Sequence, residues 1–250
     1  MAAWPYPFWI AHRGAGKLAP ENTLAAFRVG AGHGYRAFEC DVKLSADGVP
    51  FLLHDATLDR TTSQRGTASQ RPWAELSRID AGAWHSRAYA GETLPSLEAV
   101  AAFCLCNGFA LNIEIKPTPG EEAATGRVVA QAAARWWHGA PVMPLLSSFH
   151  PDALAAAQSA EPSLPRALLL DSWRSGWFEE AQALGCVATV ASYGILDRAA
   201  MARIQAAGMR VLAYTVNDPA PAHWLCDSGI DGLITDAVDR FSPSGRAVRC

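Results

Sequence analysis

Charged residues that can do chemistry follow short apolar runs in this sequence. Glu39 and Asp41 form an E-x-D pair, and Glu114 and Lys116 form an E-x-K pair. Successive side chains of a strand alternate between its faces, so each pair points to one side. Neighbouring buried carboxylates repel each other and lose solvation, so they require a metal or a lysine partner, although the E-x-D pair also fits a solvated strand end. Three hard oxygen donors, Glu39, Asp41 and Glu114, suit Mg²⁺ or Ca²⁺ rather than Zn²⁺.

Two histidines occupy similar positions after apolar runs. His12 is followed by Arg13, whose guanidinium offers a fork of donors to phosphate oxygens, and His54 follows the apolar run 49–53. A lone histidine in such a place is more often structural. Asn22, which follows in the same loop, fits the N-cap of a helix as well as it fits a functional role. The case for function therefore depends on whether these residues converge.

Apolar runs of strand length alternate with longer alanine-rich stretches of helical period along the chain, which is typical of βα units. The predicted strands span residues 8–12, 37–42, 50–54, 110–116, 144–149, 166–170, 187–191, 210–216 and 232–235. The predicted helices span residues 23–32, 96–107, 121–138, 152–160, 175–184, 197–207 and 219–228. Strands 37–42 and 50–54 form a hairpin, which leaves eight strands for a TIM-type (β/α)₈ barrel.

A barrel brings the carboxyl ends of all its strands to one catalytic face. The polar residues that fall at or just beyond a predicted strand end are His12, Glu39, Asp41, His54, Glu114, Lys116 and Asn217. Chance placement of so many is improbable, so we expect one site. Residues 59–92 interrupt the alternation and are predicted to be a cap inserted over this face, although a segment this long also fits a missed element.

Size and charge narrow the class of protein. The 250 residues, half of them hydrophobic, are predicted to form a single domain spanning 1–250. A net charge of −3 without a block of Lys and Arg argues against nucleic acid or anionic lipid as a partner. The sequence shows no targeting pattern and no apolar run of roughly 20 residues, so we expect a cytoplasmic protein without stable membrane association.

Ordered motifs over nearly the whole chain resemble those of the glycerophosphodiester phosphodiesterases. They are His12-Arg13-Gly14, Pro20-Glu21-Asn22-Thr23, Glu39-x-Asp41, His54-Asp55, Leu58-x-Arg60-Thr61-Thr62, Asn112-Ile113-Glu114-Ile115-Lys116, Ser147-Ser148-Phe149, Tyr214-Thr215-Val216-Asn217 and Asp231-Gly232-Leu233-Ile234-Thr235-Asp236. The resemblance likewise implies an inserted segment over the active-site mouth.

The resemblance also implies a role for particular residues. His12 and His54 would be the acid/base pair, and Glu39, Asp41 and Glu114 would ligate a divalent metal ion, Mg²⁺ or Ca²⁺. Arg13 and Lys116 would hold the phosphate. Tyr214 stands where many relatives carry Trp, and it would pack on the glycerol.

The implied reaction is hydrolysis of small glycerophosphodiesters, such as glycerophosphocholine or glycerophosphoethanolamine, to sn-glycerol 3-phosphate and an alcohol. The sequence leaves open the headgroup, the metal, the oligomeric state, the histidine that acts as acid, and whether water or the glycerol 2-hydroxyl attacks. A lysophospholipase D-like enzyme would need an apolar groove or a membrane-binding surface. An amidohydrolase is disfavoured because the first strand lacks a His-x-His pair, and a catalytically silent binding barrel because both histidines and all three carboxylates are present.

Overall fold

Eight parallel strands close a barrel within residues 4–243, the part of the chain that the computed structural model describes. The strands are β1 (Trp9–Ala11), β2 (Ala37–Leu44), β3 (Pro50–Leu52), β4 (Ala110–Ile115), β5 (Leu145–Ser148), β6 (Arg166–Leu170), β7 (Ala188–Ser192), β8 (Arg210–Tyr214) and β9 (Gly232–Thr235). β1 pairs with both β9 and β2, which closes the barrel, while β3 pairs antiparallel with β2 and stays outside it. The predicted TIM barrel and hairpin are confirmed.

Helices cover the outside of the barrel and connect successive strands. They are α1 (Leu24–Gly32), α2 (Trp73–Leu76), α3 (Leu97–Asn107), α4 (Glu122–Trp136), α5 (Pro151–Ala160), α6 (Trp177–Ala183), α7 (Arg198–Ala206) and α8 (Pro219–Asp227). Except for the short α2, each was predicted to within two residues at either end. The side chain of Thr23, not Asn22, caps α1 by accepting the N–H of Ala26. No helix of the described residues is long and apolar enough to cross a membrane.

The barrel interior is apolar at its N-terminal end and polar at its C-terminal end. Ile10, Leu145 and Leu212 belong to a buried cluster inside the barrel, and Trp4 and Tyr6 pack against it ahead of β1. A larger cluster fills the layer between strands and helices. Among the described residues, the cavity inside the polar C-terminal end of the barrel is lined by the charged residues at the strand ends, as is usual for the catalytic face of this fold.

The inserted segment 59–92 lies between β3 and α3, and its residues Leu76 and Ile79 form a small hydrophobic cluster with Phe51 of β3. His85 Nε2 lies 2.9 Å from the carbonyl oxygen of Lys17 in the β1–α1 loop. The segment also contacts the β2–β3 turn, where Asp47 accepts the Trp73 N–H at 2.8 Å. No residue of 59–92, all of which the structure describes, lines the catalytic-face cavity. Its role as a cap therefore stays a prediction.

Candidate active site

Three carboxylates converge because β2 and β4 are parallel neighbours in register. Asp41 pairs with Glu114 across the two strands, and Glu39 lies two residues before Asp41 on the same face. All three side chains are buried, and each offers an oxygen within 4.8 Å of the other two. The sheet alone therefore builds an acidic cluster from residues far apart in sequence.

Burial sets the protonation of this cluster. Burial and the charge of Asp41 raise the pKa of Glu39 well above its usual range, and the same two causes raise the pKa of Glu114. Burial would also raise the pKa of Asp41, but the cations Arg13 and Lys116 hold it well below its usual range. Asp41 is thus firmly charged, whereas Glu39 and Glu114 gain charge more easily when a further cation is present.

The donor set fits a hard divalent cation. Glu39 Oε1 and Asp41 Oδ1 are buried without a hydrogen-bond partner among the described residues, as is the neighbouring Asn112 Oδ1. Asp41 Oδ1 lies 3.5 Å from the ammonium of Lys116. Buried carboxylate oxygens without partners are costly, and a bound ion with oxygen ligands would satisfy them.

His12 is held by a second aspartate at the end of β9. Its Nδ1 lies 2.6 Å from Asp236 Oδ1, and the Asp236 carboxylate also accepts from the amide of Asn217 at 3.0 Å. Its Nε2 lies 3.8 Å from Glu39 Oε2. Burial alone would lower the pKa of His12, but the Asp236 hydrogen bond and the Glu39 charge raise it overall.

His54 is held in the same way by the next residue in the chain. Its Nδ1 lies 2.7 Å from Asp55 Oδ1, and Arg60 donates to both Asp55 oxygens. Burial lowers the pKa of His54, although the charge of Asp41 opposes this effect. An ionised carboxylate only accepts, so Asp55 fixes the proton on Nδ1 and leaves Nε2 available to the cavity.

Two cations lie beside the carboxylates. Arg13 has a left-handed backbone (φ +51°), and its N–H donates to Glu39 Oε2 at 3.0 Å. Its guanidinium contacts Glu21 at 2.9 Å and Asp41 at 3.2 Å. Lys116 donates to Glu114 at 2.8 Å. These ion pairs fix two cationic groups at the same mouth, where they can bind an anion.

One cavity of about 150 Å³ collects these side chains. Its lining residues are His12, Arg13, Glu39, His54, Asn112, Glu114, Lys116, Phe149, Leu169, Tyr214, Thr215 and Ile234. Among the predicted site residues, Asp41 is absent from the lining because it is fully buried. Phe149 and Tyr214 pack edge to face, with ring centroids 5.9 Å apart, and give the cavity an aromatic wall.

Sequence reasoning missed residues that hold the site together. Asn22 lies in the left-handed region (φ +58°), donates to Asp41 Oδ2 at 2.8 Å and accepts the Asp41 N–H at 3.1 Å. Lys43 is buried on the same strand, and its ammonium donates to the carbonyl of Lys116 at 2.8 Å. The period-two spacing of Glu39, Asp41 and Lys43 was a usable signal for the lysine. Asn217, predicted among the strand-end residues, does not line the cavity and supports Asp236 instead.

Comparison with known proteins identifies the family. The model of the glycerophosphoryl diester phosphodiesterase family matches residues 12–240. The chain belongs to this family. The sequence-based assignment is confirmed, and the chain is an enzyme of the glycerophosphodiester phosphodiesterase class.

Three relatives share this architecture or sequence over most of their length. A solved Oleispira antarctica phosphodiesterase in complex with the product sn-glycerol-3-phosphate has a TM-score of 0.89 and 35% identity, covering 94% of this chain and 95% of that one. A glycerophosphodiester phosphodiesterase of Bacillus subtilis is 28% identical, over 93% of this chain and 84% of the relative. An uncharacterized protein of Bacillus subtilis is 31% identical, over 93% and 96%.

Proposed function

We propose that this enzyme hydrolyses small glycerophosphodiesters, such as glycerophosphocholine or glycerophosphoethanolamine, to sn-glycerol 3-phosphate and the free alcohol. The observation that carries the proposal is the single cavity at which two aspartate-supported histidines, two cations and the carboxylate cluster meet. Its volume of about 150 Å³ suits a group the size of glycerol phosphate. The Oleispira antarctica relative was solved in complex with its product sn-glycerol-3-phosphate, which is also the product proposed for this enzyme.

Glu39, Asp41 and Glu114 would hold the metal ion, Mg²⁺ or Ca²⁺. When bound, the ion supplies positive charge that stabilises the negative charge growing on the phosphate oxygens. Arg13 and Lys116 would bind the same oxygens, since ion pairs with Asp41 and Glu114 fix both cations beside the cluster. Tyr214 would pack on the glycerol through its ring, which Phe149 supports.

His12 and His54 would share the proton transfers. Each donates Nδ1–H to an aspartate, so each presents Nε2 for chemistry. One takes the proton of the attacking group, which is water or the glycerol 2-hydroxyl, and the other gives a proton to the departing alcohol. If the 2-hydroxyl attacks, water must open the cyclic phosphate in a second step to give sn-glycerol 3-phosphate. Two histidines are needed because the attacking and leaving oxygens lie on opposite sides of phosphorus.

A lysophospholipase D-like activity is the second candidate. Trp173 and Tyr193 follow β6 and β7 on the catalytic face and are 37% and 39% exposed. Apolar side chains at this rim would contact an acyl chain that extends out of the small cavity. Lysophosphatidylcholine is therefore the substrate against which glycerophosphocholine is compared.

Phosphorus NMR of the products tests the proposal. With glycerophosphocholine and Mg²⁺ or Ca²⁺, we expect the phosphorus resonance of sn-glycerol 3-phosphate, and proton NMR of the same sample should show an equal amount of choline. Phosphocholine and glycerol would mean that the other ester bond is cleaved, and the proposal would be wrong. A higher kcat/KM for lysophosphatidylcholine than for glycerophosphocholine would favour the second candidate.

A further inference from the structure

Arg60, near the start of the inserted segment, binds two carboxylates at once. Its Nε and Nη2 donate to Asp55 at 2.8 and 3.0 Å, and its Nη1 and Nη2 donate to Glu21 at 2.8 Å each. Asp55 and Glu21 belong to different loops, which follow β3 and β1. The guanidinium therefore joins two loops of the catalytic face by four charge-assisted hydrogen bonds.

Each of these carboxylates also contacts a residue that lines the cavity. Asp55 binds His54 Nδ1 through Oδ1, the oxygen that also accepts from Arg60 Nη2. Glu21 binds Arg13 through Oε1, the oxygen that also accepts from Arg60 Nη2. Arg60 Nη2 thus lies between Asp55 and Glu21, and negative and positive charges alternate from Asp55 through Arg60 and Glu21 to Arg13.

We propose that Arg60 is a positioning residue, which fixes His54 through Asp55 and Arg13 through Glu21. This inference depends on the proposed roles of His54 and Arg13. Without the guanidinium, Asp55 keeps one of its three hydrogen bonds, and its carboxylate is free to turn away from the imidazole. Lysine cannot replace Arg60 because an ammonium lacks the planar fork that serves both carboxylates.

A purely structural role makes a different prediction. The Arg60 side chain is 45% exposed, and exposed ion pairs contribute about 0–1 kcal/mol to stability. A structural pair would therefore leave the kinetics of the folded protein unchanged. A positioning residue would change kcat and KM much more than the melting temperature.

The first test compares Arg60→Gln with Arg65→Gln, a control in the same segment. Arg65 is 86% exposed and meets Asp59 only at 3.7 Å. We expect Arg60→Gln to lower kcat roughly 10- to 100-fold, as lost support of a functional group does, and to raise KM through Arg13. Arg65→Gln should stay within about twofold of wild type, and both should melt at similar temperatures. Equal kinetics of the two variants would overturn the proposal.

Two further measurements separate positioning from a general loss. Guanidinium ion at millimolar concentration should restore part of the activity of Arg60→Gly, whereas the same concentration of sodium chloride should not. In the Asp55→Asn background, Arg60→Gln should change kcat by less than about twofold, because the two residues act in one chain of contacts. Absence of rescue together with additive effects would contradict the proposal.

Two measurements test the role of Arg60 without depending on the proposed substrate. Bis(p-nitrophenyl) phosphate serves as a generic diester. If wild type cleaves it but not glycerophosphocholine, the proposed substrate is wrong. The kinetic comparison of Arg60→Gln with Arg65→Gln can still be made on the generic diester. Nitrogen-15 NMR of the imidazoles needs no substrate at all. The Nδ1–H group of His54 should give a slowly exchanging signal in wild type and in Arg65→Gln. This signal should be absent in Arg60→Gln. A signal that persists in Arg60→Gln would overturn the proposal.

Discussion

His12 and His54 have the same kind of partner but different surroundings. Asp236, which binds His12, is supported by a neutral amide, whereas Asp55, which binds His54, is supported by a guanidinium. His12 lies against the carboxylate cluster and is less exposed, at 15% against 27% for His54. The proposed acid/base pair therefore consists of two imidazoles in different electrostatic surroundings.

Replacing either histidine should disable the chemical step. We expect His12→Ala and His54→Ala each to lower kcat by roughly 10²–10⁴, with a smaller effect on KM, and the double variant to be non-additive. An ester of p-nitrophenol needs little protonation of its leaving group, so it should rescue only the variant that lacks the acid. Equal rescue of both variants, or losses of only a few-fold, would rule out an acid/base pair.

Asp55 should make stability depend on pH in acid solution. The Arg60 hydrogen bond is the main cause that lowers the pKa of Asp55 from 3.8 to about 2, helped by the His54 hydrogen bond. Between these values the unfolded chain binds more protons than the folded one, so this stabilisation is lost as pH falls from about 4 to 2. The melting temperatures of wild type and Asp55→Asn, measured from pH 5 downward, should therefore converge. A constant difference would refute this account.

At the scale of loops and helices, two glycines mark close approaches of backbone. Gly16, in the β1–α1 loop, has φ +57°, and a Cβ there would lie 2.2 Å from the backbone of Asp236. Gly126, in α4, is as tightly packed, since its Cβ would lie 2.1 Å from the carbonyl oxygen of Ala153 in α5. Gly16 therefore borders the partner of His12, whereas Gly126 borders only a helix.

Alanine at these two glycines should separate stability from catalysis. Both substitutions force backbone apart and should destabilise the fold by roughly 1–3 kcal/mol. Only Gly16→Ala should also lower kcat, because it displaces Asp236 and with it the imidazole of His12. Denaturant unfolding and kcat of the folded protein measure the two effects. If Gly126→Ala lost as much kcat as Gly16→Ala, the loop would not be what positions His12.

The inserted segment should matter more for substrate than for folding. The segment forms its hydrophobic cluster with Phe51 and Leu53, and of its residues Tyr89 packs against the larger cluster of the barrel. Because most of its apolar residues lie in that separate cluster, the barrel should fold without most of the segment. We expect a variant shortened within 63–91, which keeps Arg60, to retain the barrel's circular dichroism and to show an altered KM. A shortened variant that folds and turns over substrate normally would show that the segment is not a cap.

At the scale of the whole molecule, the sequence predicted the barrel and the convergence of its site. Strand and helix periods are local properties, and barrel closure brings strand ends together, so Glu39, Asp41 and Glu114 could be placed from pattern alone. Contacts made by loops could not be predicted in this way. Asp236 lies 224 residues from His12, and no local pattern indicates that pairing.

The inserted segment was unpredictable for a related reason. The short helix α2 lies in a stretch without a clean period, and Leu76 at its end packs into the small cluster rather than onto the barrel. A helix of four residues is stabilised by such tertiary contacts and not by its own propensity. The contacts of Arg60 likewise could not be predicted, because they form only where two loops from different parts of the chain meet.

The initial rate of sn-glycerol 3-phosphate release from glycerophosphocholine, with and without metal, tests the central claim most directly. Protein treated exhaustively with chelator should release almost none, because the proposed ligands Glu39, Asp41 and Glu114 would then hold no cation. Returning Mg²⁺ or Ca²⁺ should restore the rate in wild type but not, at the same concentration, in Glu114→Gln. Undiminished release after chelation would contradict metal-dependent hydrolysis at this site.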